Sequence, residues 1–91
     1  ASPSLSVPPS APRQLEQEAR RRRIGAVLNA LPATLRVPLV MCDMDELSYD
    51  EIARHLGIGL SAVKMRIKRA REQFRLQYAL EEAAAAGRTE S

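Results

Sequence analysis

Tryptophan is missing from this sequence, and phenylalanine and tyrosine together supply three residues, so aromatics make up only 3% of the chain. Any core must therefore be aliphatic, built from Leu, Ile, Val, Met and Ala, which is helix-bundle material. There is one cysteine, and it cannot close an internal disulfide. No Cys/His spacing of the metal-binding kind occurs either, so the chain is compatible with a reducing, cytoplasmic setting. Cys42 lies in the apolar run Leu39, Val40, Met41, Cys42 and is expected in the core. No stretch approaches the ~18 apolar residues of a membrane span, and the first residues lack the order of a signal peptide. Ninety-one residues allow one domain at most and leave no room for a large catalytic cleft.

Charge is present in quantity but unevenly placed. The formal net charge is +3, yet Arg20, Arg21, Arg22 and Arg23 form one basic block and Lys64, Arg66, Lys68, Arg69, Arg71 and Arg75 a second, while Asp43, Asp45, Glu46, Asp50 and Glu51 cluster between them. Segregation of this kind favours a polyanionic partner on one face. The opening ASPSLSVPPSAP holds four of the six prolines and four serines in twelve residues. Its apolar content is too low to offset the entropy of ordering it. Residues 1–12 therefore read as a disordered linker remnant, and with no Met at its start the chain reads as a piece of a longer protein.

Four helices follow from pattern and capping signals. From about Arg13 to Leu31, Leu15, Ala19, Val27, Leu28 and Leu31 fall near one face of a first helix. Pro32 suits the first turn of a second, roughly Ala33 to Met44, which Pro38 would kink or re-start. In LSYDEIARHLG, Ser48 with Glu51 three residues later is a capping box that starts a third helix at about Tyr49. Gly57 is placed to end it in a left-handed conformation. Ile58, Gly59 and Leu60 make a turn, and Ser61 is a natural N-cap for a fourth helix. There Val63, Ile67, Ala70 and Phe74 form one apolar stripe, with Ser61, Met65, Lys68 and Glu72 pointing away from it. Alanines 83–86 extend this helix up to Gly87, and residues 87–91 read as a tail. The fold class is thus all-α, a four-helix module over residues 13–86 ending in a helix-turn-helix. Ala53 permits a close helix crossing, and the basic outer face of the last helix is free to enter a major groove about 12 Å wide.

The run LPATLRVPLVMCDMDELSYDEIARHLGIGLSAVKMRIKRAREQFR, about half the chain, resembles region 4 of bacterial sigma factors, most closely the extracytoplasmic-function group. LPATLR, LSYDEIARHLG and AVKMRIKRAR carry the likeness jointly and in this order. The resemblance implies a module that docks on the flap of RNA polymerase and reads the −35 promoter element through its last helix, with an anti-sigma factor as a further partner. Three departures bear on the target sequence more than on the fold. Glu46 stands where the family often has Gly, Gly59 and Ala62 where it often has Pro and Thr, and Met65 where Ser is common.

Lys64, Met65, Lys68 and Arg69 are the expected base-facing set, since Lys and Arg donate to guanine O6 and N7 and a methionine meets the thymine methyl. Arg36, Arg54, Arg66 and Arg71 are expected on phosphates, as are Ser48, Tyr49 and Ser61 near helix N-termini. Arg36 could equally pair with the acidic cluster. His55 should project outward with no ligand partner, and the Asp43–Glu46 cluster lacks the spacing of a calcium loop. No nucleophile–base pair or phosphate-cradling glycine loop is visible, so neither catalysis nor a cofactor is expected. Two other readings stay open: a helix-turn-helix of the response-regulator output type, and a sigma-like module that binds an anti-sigma factor without touching DNA.

Overall fold

The computed structural model describes residues 11–90, with side chains over residues 12–87. Most of the expected linker, residues 1–10, lies outside the described residues. Four helices follow in order: α1 (Ala11–Ala30), α2 (Ala33–Asp43), α3 (Tyr49–Leu56) and α4 (Leu60–Glu90). No strand occurs among the described residues.

Helix α4 is the element on which the others assemble, and its stripe explains why. Val63 and Ile67 are buried with Ile52 of α3, and Met41, Cys42, Leu47, Tyr49, Ala53, Leu56 and Ile58 pack around them. Two turns further on, Ala70 is buried with Leu31, Leu35 and Leu39, flanked by Leu28 and Phe74. One helix thus closes two aliphatic clusters, the first against α3 and the second against α1 and α2. Ile52, Val63 and Ala70 are fully buried, and no polar side chain is buried among the described residues. Fully burying a Val or Ile side chain stabilises by roughly 1.5–3 kcal/mol, so these few residues supply much of what holds so small a domain together.

Local chemistry sets the junction of α3 and α4. The Ser48 hydroxyl accepts from the Glu51 N–H at 3.1 Å while the Ser48 N–H donates to Glu51 Oε1 at 3.1 Å, a complete capping box. Gly57 closes α3 at φ 66°, ψ 35°, and the Ile58 N–H returns to the Ala53 carbonyl at 3.1 Å. Gly57, Ile58 and Gly59 are the whole turn. The expectation that Ser61 caps α4 fails, because the Val63 N–H already bonds the Gly59 carbonyl at 3.1 Å. Gly59 holds the cap position, where glycine costs only a few tenths of a kcal/mol against Ser. Ser61 therefore sits inside the first turn.

Four further expectations are corrected. Leu15 and Ala19 do not join a buried face, for the N-terminal half of α1 is exposed and Leu15 is 68% accessible. Good helix formers and the Glu18–Arg22 pair at 3.9 Å support this half without burial. Its helix also starts at Ala11, so Ala11 and Pro12 belong to it rather than to the linker. Pro38 stays inside α2. Its ring is buried in the core, and the Thr34 carbonyl, to which residue 38 has no N–H to donate, belongs to an exposed residue. Last, α4 runs through Gly87 to Glu90 instead of yielding to a tail. Four preceding alanines favour the helix, and one glycine costs only about 1 kcal/mol.

Candidate nucleic-acid interface

Because the stripe of α4 points inward, the helical period fixes where everything else points. Lys64, Met65, Lys68 and Arg69 are all exposed, and Met65 is 52% accessible. At 3.6 residues per turn Met65 lies about opposite the stripe, with Lys64 and Lys68 on one flank and Arg66 and Arg69 on the other. Among the described residues, ion pairs go only to Arg22, Arg23 and Arg71. Lys64, Arg66, Lys68, Arg69 and Arg75 are therefore cations without a carboxylate partner among the described residues.

Of the residues expected on phosphates, Arg54, Ser48 and Ser61 are exposed and Arg36, Tyr49, Arg66 and Arg71 half-buried. Arg36 makes no ion pair with the acidic cluster among the described residues. Arg71 does: its Nη2 donates to Asp43 Oδ1 at 2.8 Å and approaches Cys42 Sγ at 3.8 Å. The Asp43 hydrogen bond raises the Arg71 pKa above its ordinary value. Desolvation, then the Asp43 carboxylate, pushes the Cys42 thiol up, which suits a half-buried packing residue rather than a reactive thiolate. The hydroxyl and N–H of Ser48 are both engaged in the capping box, and those hydrogen bonds hold the Glu51 carboxyl below the usual range. His55 is exposed, while Ile52, Ala53 and Leu56 face the core. Among the described residues no three His, Cys, Asp or Glu side chains gather where a metal could sit.

Two grooves meet along α4. One, of about 260 Å³, lies between the start of α3 and the flank of α4, lined by Tyr49, Lys64, Ile67, Lys68, Arg71, Glu72 and Arg75. The other, of about 400 Å³, is mostly apolar and lies among α1, α2 and α4, lined chiefly by Ile24, Leu28, Leu39, Val40, Met44 and Phe74. Arg71 and Arg75 border both. Arg75 is the functional candidate that the sequence reading passed over. Its signal was available, because Lys64, Lys68, Arg71 and Arg75 repeat at i, i+4, i+7, i+11, the spacing of the apolar stripe shifted by one residue. The first basic block, Arg20 to Arg23, divides differently. Arg23 reaches Glu82 at 4.0 Å and lies over the Tyr78 ring, 5.5 Å from its centroid, tying α1 to α4 in antiparallel fashion. Arg20 and Arg21 remain exposed.

Residues 21–74 match the family described as Sigma-70, region 4. Among curated proteins, the ECF RNA polymerase sigma factor SigE of Mycolicibacterium smegmatis is 40% identical over 65 residues, covering 70% of this chain and 25% of SigE. The ferric citrate uptake sigma factor FecI of Escherichia coli is 35% identical over 60 residues, covering 63% of this chain and 35% of FecI. The chain thus spans between a quarter and about a third of the length of these relatives. The family match takes in the second half of α1, α2, α3 and α4 as far as Phe74, the end of the stripe, more than half of the chain. On that ground the chain belongs to the sigma-70 region 4 family.

Proposed function

We propose that this module binds the −35 element of promoter DNA as the region 4 domain of a sigma factor and so directs RNA polymerase to its start sites. The observation that carries the reading is the exposed face of α4, where cations without a carboxylate partner among the described residues stand opposite the buried Val63, Ile67 and Ala70 and the half-buried Phe74, directly after a three-residue turn. A core-building helix has no use for that density of charge. A duplex has, because neutralising phosphates releases condensed counterions and supplies most of the binding free energy. Lys64, Met65, Lys68 and Arg69 present the side that enters the major groove. Arg36, Arg54 and Arg66, with Ser48, Tyr49 and Ser61 near helix N-termini, lie in the surrounding surface that meets the backbone, and Arg71 can do so only while sharing its guanidinium with Asp43.

The apolar groove between α1, α2 and α4 is a second seat, bordered by the same Arg71 and Arg75, and the flap of RNA polymerase is the partner assigned to it. Anti-sigma factors are the class of protein expected to compete for one or both surfaces. The module carries out no chemistry of its own in this scheme, requires no cofactor and acts in the cytoplasm, where promoter and polymerase are.

Duplex binding measured by fluorescence anisotropy, with core polymerase present, tests the reading. Affinity should fall steeply between about 50 and 200 mM salt. Arg69→Ala should cost on the order of 1–3 kcal/mol on the preferred sequence and relax selection at one base pair. Absent or salt-insensitive binding, with an anti-sigma factor still bound, would instead favour a protein-interaction module that never touches DNA.

A further inference from the structure

We infer that the cationic groove beside Tyr49 holds the phosphates of one DNA strand, so that Lys64 and Lys68 serve with Arg75 as backbone contacts and leave base reading to Met65 and Arg69. This rests on the DNA-binding reading above and divides its interface. Lys64, Lys68, Arg71 and Arg75 fall within an arc of about 60° on one flank of α4. They line a groove whose far wall is Tyr49, the first residue of α3, set there by the capping box at Ser48. From Lys64 to Arg75 the helix rises by roughly 16 Å, so the groove is a track rather than a single anion seat.

The charges in the groove are distributed as a backbone track requires. Lys64, Lys68 and Arg75 have no ion-pair partner among the described residues, while Arg71 is committed to Asp43 at 2.8 Å and acts as a fixed wall. Glu72 also lines the groove and works against an anion there, but it leaves the lining cationic. Lys64 and Lys68 line the groove that Tyr49 of α3 borders, where a strand at the edge of the major groove would run. Met65 and Arg69 lie across the ridge of α4, outside the lining of that groove. Compact ammonium groups suit phosphate as point charges, whereas the planar fork of Arg69 suits two acceptors on one base edge.

The test compares Lys64→Gln, Lys68→Gln and Arg75→Gln with Arg69→Gln in the full chain, with core polymerase and a pool of random-sequence duplexes, helix content being checked by circular dichroism. Each of the first three should weaken binding to every sequence alike and leave the selected sequence unchanged. Each should also lower the slope of log affinity against log salt by about 0.9, so that the loss between about 50 and 200 mM becomes roughly threefold smaller. Glu72→Gln should tighten binding without altering the preferred sequence. Arg69→Gln should change the selected sequence. A changed base preference with an unchanged slope for Lys64→Gln or Lys68→Gln would overturn the assignment while leaving DNA binding intact. Failure of the unsubstituted chain to bind any duplex would overturn both.

Discussion

Glu46 and Gly57 both stand at positive φ, 57° and 66°, and only one of them is a glycine. A side chain in the left-handed region costs roughly 1–2 kcal/mol, of which glycine's extra unfolded-state entropy returns part. Glu46→Gly should therefore stabilise the domain by about 0.5–1 kcal/mol, read as a higher urea midpoint at unchanged slope. Gly57→Ala should destabilise by about 1 kcal/mol through the backbone alone, since a Cβ there meets nothing within 4 Å. The departure at Glu46 was visible in the sequence as a mismatch with the family, and the structure gives it a physical form. Between these two positions lies the capping box, whose hydrogen bonds depress the Glu51 pKa. A depressed carboxylate contributes stability that is complete above its unfolded pKa, about 4.3, and is lost as pH falls through the lower folded value. Denaturant midpoints followed below about pH 5 should accordingly drop further for the native chain than for Glu51→Gln. Ser48→Ala should cost about 0.5–2 kcal/mol near neutral pH.

Among the elements, α3 and the first half of α4 were legible because their signals are local. Ser48 and Glu51, Gly57, and the period of Val63, Ile67, Ala70 and Phe74 each act within a turn or two of chain. What escaped depends on partners far away in sequence. Periodicity placed Leu15 and Ala19 on the same face as Val27 and Leu31, but it cannot say that α4 meets only the later pair. Arg71 looked like its neighbours until Asp43, 28 residues earlier, took up its guanidinium. The start of α4 lies two residues before the expected one because a serine is the better cap in isolation, whereas the Gly59 carbonyl is what geometry supplies. At this scale Ile67 is the most telling position, being 1% exposed within the cluster that locks α3 to α4. Ile67→Ala should destabilise by about 2–5 kcal/mol in chemical denaturation. Asp43→Asn should change stability by no more than about 1 kcal/mol, since both partners of that pair are partly in water.

For the molecule as a whole, one helix has two opposed duties: its stripe gathers α1, α2 and α3, and its outer face stays charged and open. The two grooves flanking it share Arg71 and Arg75, so DNA and a protein docked among α1, α2 and α4 would lie against the same pair of side chains. In the second half of α4, Leu76 and Leu80 are 66% and 61% exposed, so the part of the helix that gathers the fold is its first half. The basic face sits on that same half, which is why its position is rigidly tied to the core. Backbone amide shifts followed by NMR while duplex DNA is titrated into the chain test this most directly. The largest changes should fall on Ser61 through Arg75 and at Ser48 and Tyr49, with the apolar groove around Leu28 and Val40 little affected. Changes confined to that apolar groove, or an unperturbed α4 at saturating DNA, would contradict the account.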